Sequence, residues 1–166
     1  MARRSTTTAL AAFALTVAAA QLVAASTQSA RPATPAPSPA DVIRTRIAGL
    51  RELGAAFKNV NDGLRGGDPQ IVLIQQSARQ IKSASQAQYR WFPAGSGPAP
   101  GLKTLAKPDI WSKPAEFRAA QDGLARTAAA LERAAMSGNA DAIRSAARGL
   151  GGNCKACHDQ FRVPPP

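Results

Sequence analysis

Ile143, Ala147, Leu150, Cys154, Cys157 and Phe161 follow one another at alternating steps of four and three residues. This is the repeat of one face of an α-helix. It places both cysteines of the chain on a single apolar stripe near the C-terminus. Three further stretches carry the same kind of repeat between clear punctuation. Ser38-Pro39-Ala40-Asp41 offers an N-cap, a proline at the first helical position and an acid at the third, the layout of a helix start. Ile43, Ile47, Leu50, Phe57 and Leu64 follow on one stripe, and Gly66-Gly67 ends it. Asp68-Pro69 starts a second helix with Ile71, Ile74, Ala78 and Ile81 on one face. A long loop from about Trp91 to Trp111 holds four prolines and three glycines. Ser112, with Pro114 in the first turn, starts a third helix faced by Phe117, Leu124, Ala128 and Leu131. Gly138-Asn139 breaks it, and Asn139 caps the fourth. Aromatics are only 5% of the residues and alanine is abundant, which disfavours a sheet. The expected fold is all-α, an antiparallel four-helix bundle.

The ends follow a different logic. Met1-Ala2-Arg3-Arg4 is a basic head, an apolar run centres on Ala9 to Ala25, and small residues precede Ser26. This three-part layout predicts a secretory signal peptide over residues 1–25. A retained membrane anchor is the competing reading, but the run is short and only weakly hydrophobic. No bulky apolar pair follows Arg3-Arg4, so twin-arginine export is set aside. Residues 26–40, rich in Pro, Ala, Ser and Thr, predict a flexible leader, and the folded domain is expected over 41–163. Losing Arg3 and Arg4 with the signal lowers the formal charge of +11 by two. The remaining excess suits acidic protein partners or anionic surfaces. It does not point to nucleic acid, because the cations are spread over all four helices without stacked aromatics. No later stretch is long and apolar enough to span a bilayer.

Cys154-Lys155-Ala156-Cys157-His158 is the chemical signature of the chain. In C-x-x-C-H, two thiols add across the vinyl groups of haem and the adjacent imidazole supplies an axial nitrogen to iron. A zinc site would need about four ligands, and no other Cys or His exists in the sequence. A thioredoxin-like pair belongs at a helix N-terminus beside a sheet, whereas this one ends a helix. A disulfide between these two positions would close too small a loop to stabilise much. The expected cofactor is therefore one covalently attached haem c, held by Cys154 and Cys157, with His158 as the axial iron ligand. Export agrees with this, since c-type haem is attached outside the cytoplasm, and the expected location is the periplasm.

At this point the chain resembles the cytochromes c′, the four-helix class of c-type cytochromes. The likeness covers residues 41–163 and rests on C-x-x-C-H at the far C-terminal end. It rests also on Arg46 with Leu50 four residues on, Gly54–Lys58, Trp91-Phe92-Pro93-Ala94-Gly95, Lys107–Ser112 and Arg162 four residues after His158. The resemblance implies that Leu50 stands where low-spin members carry an iron-ligating methionine. It also implies that Arg46 lies near a haem propionate, with a solvated surface charge as the alternative, and that Arg162 stands beside the proximal face. Ile47 stands where many relatives have a polar residue.

Elimination agrees with an open sixth position. No second histidine exists, both cysteines are committed, and Met1 departs with the signal. Met136 falls at the end of the third helix, and Lys58 points away from Leu50. The expectation is a five-coordinate, high-spin iron with Leu50 closing an apolar distal pocket. Such a site transfers one electron to a redox partner protein and admits nitric oxide or carbon monoxide. It is not expected to be an enzyme. A six-coordinate electron carrier using Met136 or a lysine, a haem peroxidase, and a haem-free structural module are the alternatives. The resemblance further implies a homodimer paired through the first two helices.

Overall fold

The computed structural model describes residues 36–164. The expected signal peptide and most of the expected leader lie outside the described residues. Five helices follow in order: α1 (Pro39–Gly63), α2 (Ile71–Ala87), α3 (Asp109–Ser112), α4 (Pro114–Ser137) and α5 (Ala140–Phe161). A 3₁₀ turn at Gln88–Arg90 extends α2. The four long helices form the expected bundle, and the closely packed pairs are α1 with α2, α2 with α4, and α4 with α5. Helices α1 and α5 are not among those pairs. The first and last helices therefore lie farther apart than the neighbouring pairs and meet through side chains, with Phe57 over Gly151.

Local chemistry explains most boundaries. At the start of α1, the Asp41 amide donates to Ser38 Oγ at 3.2 Å and the Ser38 amide donates to Asp41 Oδ2 at 3.3 Å. This reciprocal capping box sits just before Pro39, as the sequence predicts. Gly138 ends α4 with φ of 69°, a left-handed conformation that glycine adopts without steric cost. Asn139 Oδ1 then accepts from the amides of Asp141 and Ala142 at 3.0 and 2.9 Å. Replacing Asn139 with alanine leaves both amides without a cap. Unfolding in urea is expected to show a loss of about 1 kcal/mol.

Three boundaries differ from expectation. α1 ends at Gly63 rather than at Gly66-Gly67. There a Cβ would lie 2.9 Å from Ile74 Cγ1, so α2 crosses close over the end of α1. α2 begins at Ile71 without a side-chain cap, two residues after Pro69. The third long helix is divided: Lys113 leaves helical geometry at φ −124°, ψ 59°. Its neighbour Pro114 disfavours the helical conformation in the residue before it. The preceding turn, α3, shortens the expected loop to residues 91–108.

The core combines Ala56 and Val60 of α1, Ile74, Ala78 and Ile81 of α2, Ala128 and Leu131 of α4, and Ile143, Ala147 and Leu150 of α5. A second cluster at the loop end joins Ile110, Phe117 and Phe161, with Phe92, Trp111 and Cys157 packed against it. The α5 stripe is buried as its periodicity predicts. The α1 stripe is buried only in part: Ile43 is in the core, and Phe57 and Leu64 are half-buried against it. Small residues, Ala56 and Gly63, take the core positions with Val60 and allow α1 to pack closely on α2. The bulkier Leu50, Phe57 and Leu64 are turned toward the flank, where Leu50 stays 38% exposed.

Candidate haem-attachment site

α5 carries the attachment motif in its last two turns. Cys154 and Cys157 lie one turn apart, both half-buried and both unpaired. Burial pushes the Cys154 thiol up. Burial, with the neighbouring Cys154, pushes Cys157 up to about 11. Reactive redox pairs have the opposite shift, toward the thiolate, so the environment is not that of a thioredoxin-like dithiol. Among the described residues no cluster of three or more His, Cys, Asp or Glu side chains is placed to hold a metal ion.

His158 is exposed beside the two sulfurs. Its pKa is lowered, first by partial desolvation and then by the charge of Arg162, against a smaller opposing effect of Asp159. The imidazole is thus held neutral with a free lone pair, the form that binds a metal. Cys154, His158, Asp159, Arg162 and Lys107 border a groove of about 600 Å³, within the range of small-molecule and cofactor sites. One thiol, Cys154, and a neutral imidazole border this groove, and Cys157 sits one turn on against Phe117 and Phe161; the three donors are of the kinds that hold a covalent haem.

α1 meets α5 farther back along the helix. Phe57 lies over Gly151 of α5, where a Cβ would sit 3.5 Å from the ring. Further along, Leu64 and Asn61 share a second groove of about 370 Å³ with Arg144, Ala147 and Gly151. Residues increase along α1 as they decrease along α5, so the two helices run antiparallel. Counting seven residues back from Phe57 reaches Leu50, and seven on from Gly151 reaches His158. Each step is about 10 Å at 1.5 Å per residue, so on regular helices both counts run toward the same end of the bundle. Leu50, Phe57 and Leu64 form an apolar row along that flank of α1.

The other candidate residues separate clearly in space. Met136 is 59% exposed and its sulfur accepts from Arg79 Nη1 at 3.8 Å. It sits at the α4–α5 turn, about 28 Å along α5 from His158. Lys58 pairs with Asp62 on the exposed side of α1. Arg162 borders the His158 groove, and its amide donates to the His158 carbonyl at 3.0 Å.

Arg46 is placed differently from a surface charge. It is 2% exposed, one turn before Leu50. Its Nη1 donates to the Trp91 carbonyl at 3.4 Å and to Ser96 Oγ at 3.0 Å. Its Nη2 donates to the Ser96 carbonyl and to Thr104 Oγ1, both at 3.0 Å. The guanidinium also lies 4.8 Å from the centre of the Phe92 ring and 5.9 Å from that of Trp111. Such faces favour a cation, and burial pulls its pKa down. Ser96 and Thr104 are partners that the sequence does not announce. Nothing in their immediate surroundings along the chain marks two hydroxyls in a loop as receivers of an arginine from a helix 50 residues away. Trp91 and Trp111 pack against the bundle and its loop. Trp91 lies so close to Gly49 that a Cβ there would be 2.4 Å from the indole, and Trp111 Nε1 donates to the Pro93 carbonyl at 3.1 Å.

Known proteins share both sequence and shape with this chain. The family model of cytochrome c′ matches residues 41–162. Cytochrome c′ of Rubrivivax gelatinosus is 41% identical over 125 residues, covering 75% of this chain and 95% of that protein. That of Pararhodospirillum photometricum is 33% identical, covering 75% and 98%. Among solved structures, a ferrous variant of cytochrome c′ from Alcaligenes xylosoxidans with bound nitric oxide superposes with a TM-score of 0.71 at 25% identity. It covers 79% of this chain and all of that one (100%).

Proposed function

The chain belongs to the cytochrome c′ family, and on that premise we propose that it is a periplasmic haem c protein with a five-coordinate, high-spin iron. It carries one electron and binds nitric oxide or carbon monoxide on the face that Leu50 covers. When bound, haem c would supply a one-electron iron couple and an iron able to take a diatomic ligand. Cys154 and Cys157 tether the macrocycle, and His158 presents a neutral imidazole nitrogen. Phe57 and Leu64 continue the apolar wall below Leu50 and keep that side dry. Leu50 brings no lone pair and no acid–base group, so it neither ligates iron nor assists O–O cleavage. This favours gas binding and electron transfer over peroxide turnover.

The observation that carries the reading is the groove at the end of α5 bordered by Cys154 and His158, with Leu50 as the distal residue following from the family's pattern. The nitric oxide complex of the Alcaligenes xylosoxidans relative supports the gas, and a carbon monoxide complex of another variant of that protein supports the second. The excess of basic over acidic residues suits an acidic redox partner. Among the described residues no helix is long and apolar enough to cross a membrane. A homodimer through α1 and α2 would cover Val72, which is 68% exposed on α2.

Optical spectra of the exported holoprotein test the reading. The ferric and ferrous forms are expected to be high-spin, and carbon monoxide is expected to convert the ferrous spectrum readily. A low-spin spectrum with split visible bands and no response to carbon monoxide would overturn it.

A further inference from the structure

Arg46 is bound into the loop, and the loop is bound in turn to the chain that follows His158. Thr104 Oγ1, which accepts from Arg46 Nη2, also accepts from the Ala106 amide at 3.2 Å. One residue on, the Lys107 amide donates to the Phe161 carbonyl at 2.9 Å, and the Val163 amide donates to the Leu105 carbonyl at 2.7 Å. Lys107 Nζ donates to the Asp159 carbonyl at 2.9 Å. Residues 105–107 therefore pair with the segment leaving α5, directly after His158. Phe161, whose carbonyl takes part in this pairing, is 2% exposed and packs edge-on to Phe117 at 5.1 Å. Phe117 packs on Phe92 at 4.9 Å, and Phe92 lies under the Arg46 guanidinium. Two routes thus join the distal turn of α1 to the end of α5, one through hydrogen bonds and one through stacked rings.

We propose that Arg46 is a positioning residue for His158: by holding the loop through Ser96 and Thr104, it seats residues 105–107 against the end of α5 and so orients the imidazole toward the iron. This rests on the haem reading above. A buried guanidinium needs this many acceptors, because a buried charge without hydrogen bonds is costly. Among the described residues no carboxylate pairs with it, and its partners are the loop's own carbonyls and hydroxyls. The loop is thereby fixed at its middle, at Ser96, and near its end, at Thr104. Without that hold, the last turn of α5 would keep its packing of Phe161 on Phe117 and Ile110 and the Gln160 Nε2 donation to Glu116 at 2.6 Å, but residues 105–107 would lose their anchor to α1.

The test uses holoprotein of the wild type and of the variants Arg46→Met and Thr104→Val, with covalent haem per chain measured first. The readout is the iron–histidine stretching band in the resonance Raman spectrum of the ferrous form. Thr104→Val removes one acceptor and leaves the arginine's charge in place, so it carries the test where Arg46→Met does not fold. The expected result is unchanged covalent haem and a shifted band in both variants, in the same direction. The double variant is expected to shift less than the sum of the two, as for residues in one network. An unchanged band in Thr104→Val overturns the proposal, even where Arg46→Met shifts it, because the arginine would then act through its charge alone. Absence of covalent haem in the wild type would instead overturn the haem reading itself.

Discussion

Serine at both Cys154 and Cys157 is expected to reduce covalently bound haem from one per chain to none. Attachment forms two carbon–sulfur bonds, one from each thiol to a vinyl group of the macrocycle. A hydroxyl is almost the same size but does not make that addition. Both side chains are only half-buried, Cys154 at the edge of the groove and Cys157 against Phe117 and Phe161, so the exchange removes the chemistry and leaves α5 packed through Ile143, Ala147 and Leu150. Extraction of denatured protein with acidified solvent, followed by a haemochrome spectrum of the pellet, gives the measurement. Each single variant is expected to retain haem through its remaining sulfur. Alanine at His158 is expected to keep the covalent haem while altering the spectrum, because the imidazole contributes coordination and no covalent tether. Covalent haem persisting in the double serine variant would show that the motif is not the attachment site.

Alanine at Leu150 is expected to lower stability by about 2–5 kcal/mol. Leu150 is 1% exposed, one turn before Cys154 on the same stripe, and packs in the main core. Truncation removes apolar contacts that neighbours from α1, α2 and α4 cannot recover by collapsing. Since domains of this size are stable by only about 5–15 kcal/mol, the loss is a large share of the total. The urea midpoint of the holoprotein is expected to fall by about 1 M or more, given slopes of roughly 1–3 kcal/mol per molar for small proteins. Alanine at Val163, 43% exposed beyond the end of α5, is expected to leave the midpoint nearly unchanged. Equal midpoints for Leu150→Ala and the wild type would mean that this end of the core does not support the fold.

Much of this protein is legible from its residues alone, because the signals are local. Apolar periodicity and caps follow from the geometry of a single helix, so Ser38, Asn139 and Gly138 mark their boundaries and the α5 stripe is buried as its spacing predicts. The attachment motif is likewise five consecutive residues whose chemistry needs no distant partner. Where neighbouring elements compete, the local reading is incomplete. Leu50, Phe57 and Leu64 share the periodicity of a core stripe, but Ala56, Val60 and Gly63 pack on α2 more closely. The larger side chains therefore turn toward the flank.

By itself, the sequence determined an all-helical bundle, its helix ends to within a few residues, and a haem-attachment motif on the last helix. Only the tertiary structure decided that Phe57 of α1 lies over Gly151 of α5, because that depends on the register of two helices far apart in the chain. It alone placed Met136 at the opposite end of the bundle. It also showed that the Arg46 guanidinium is engaged by Trp91, Ser96 and Thr104. A charge's partners are set by what the fold brings within about 3 Å of it, and no local pattern encodes that distance.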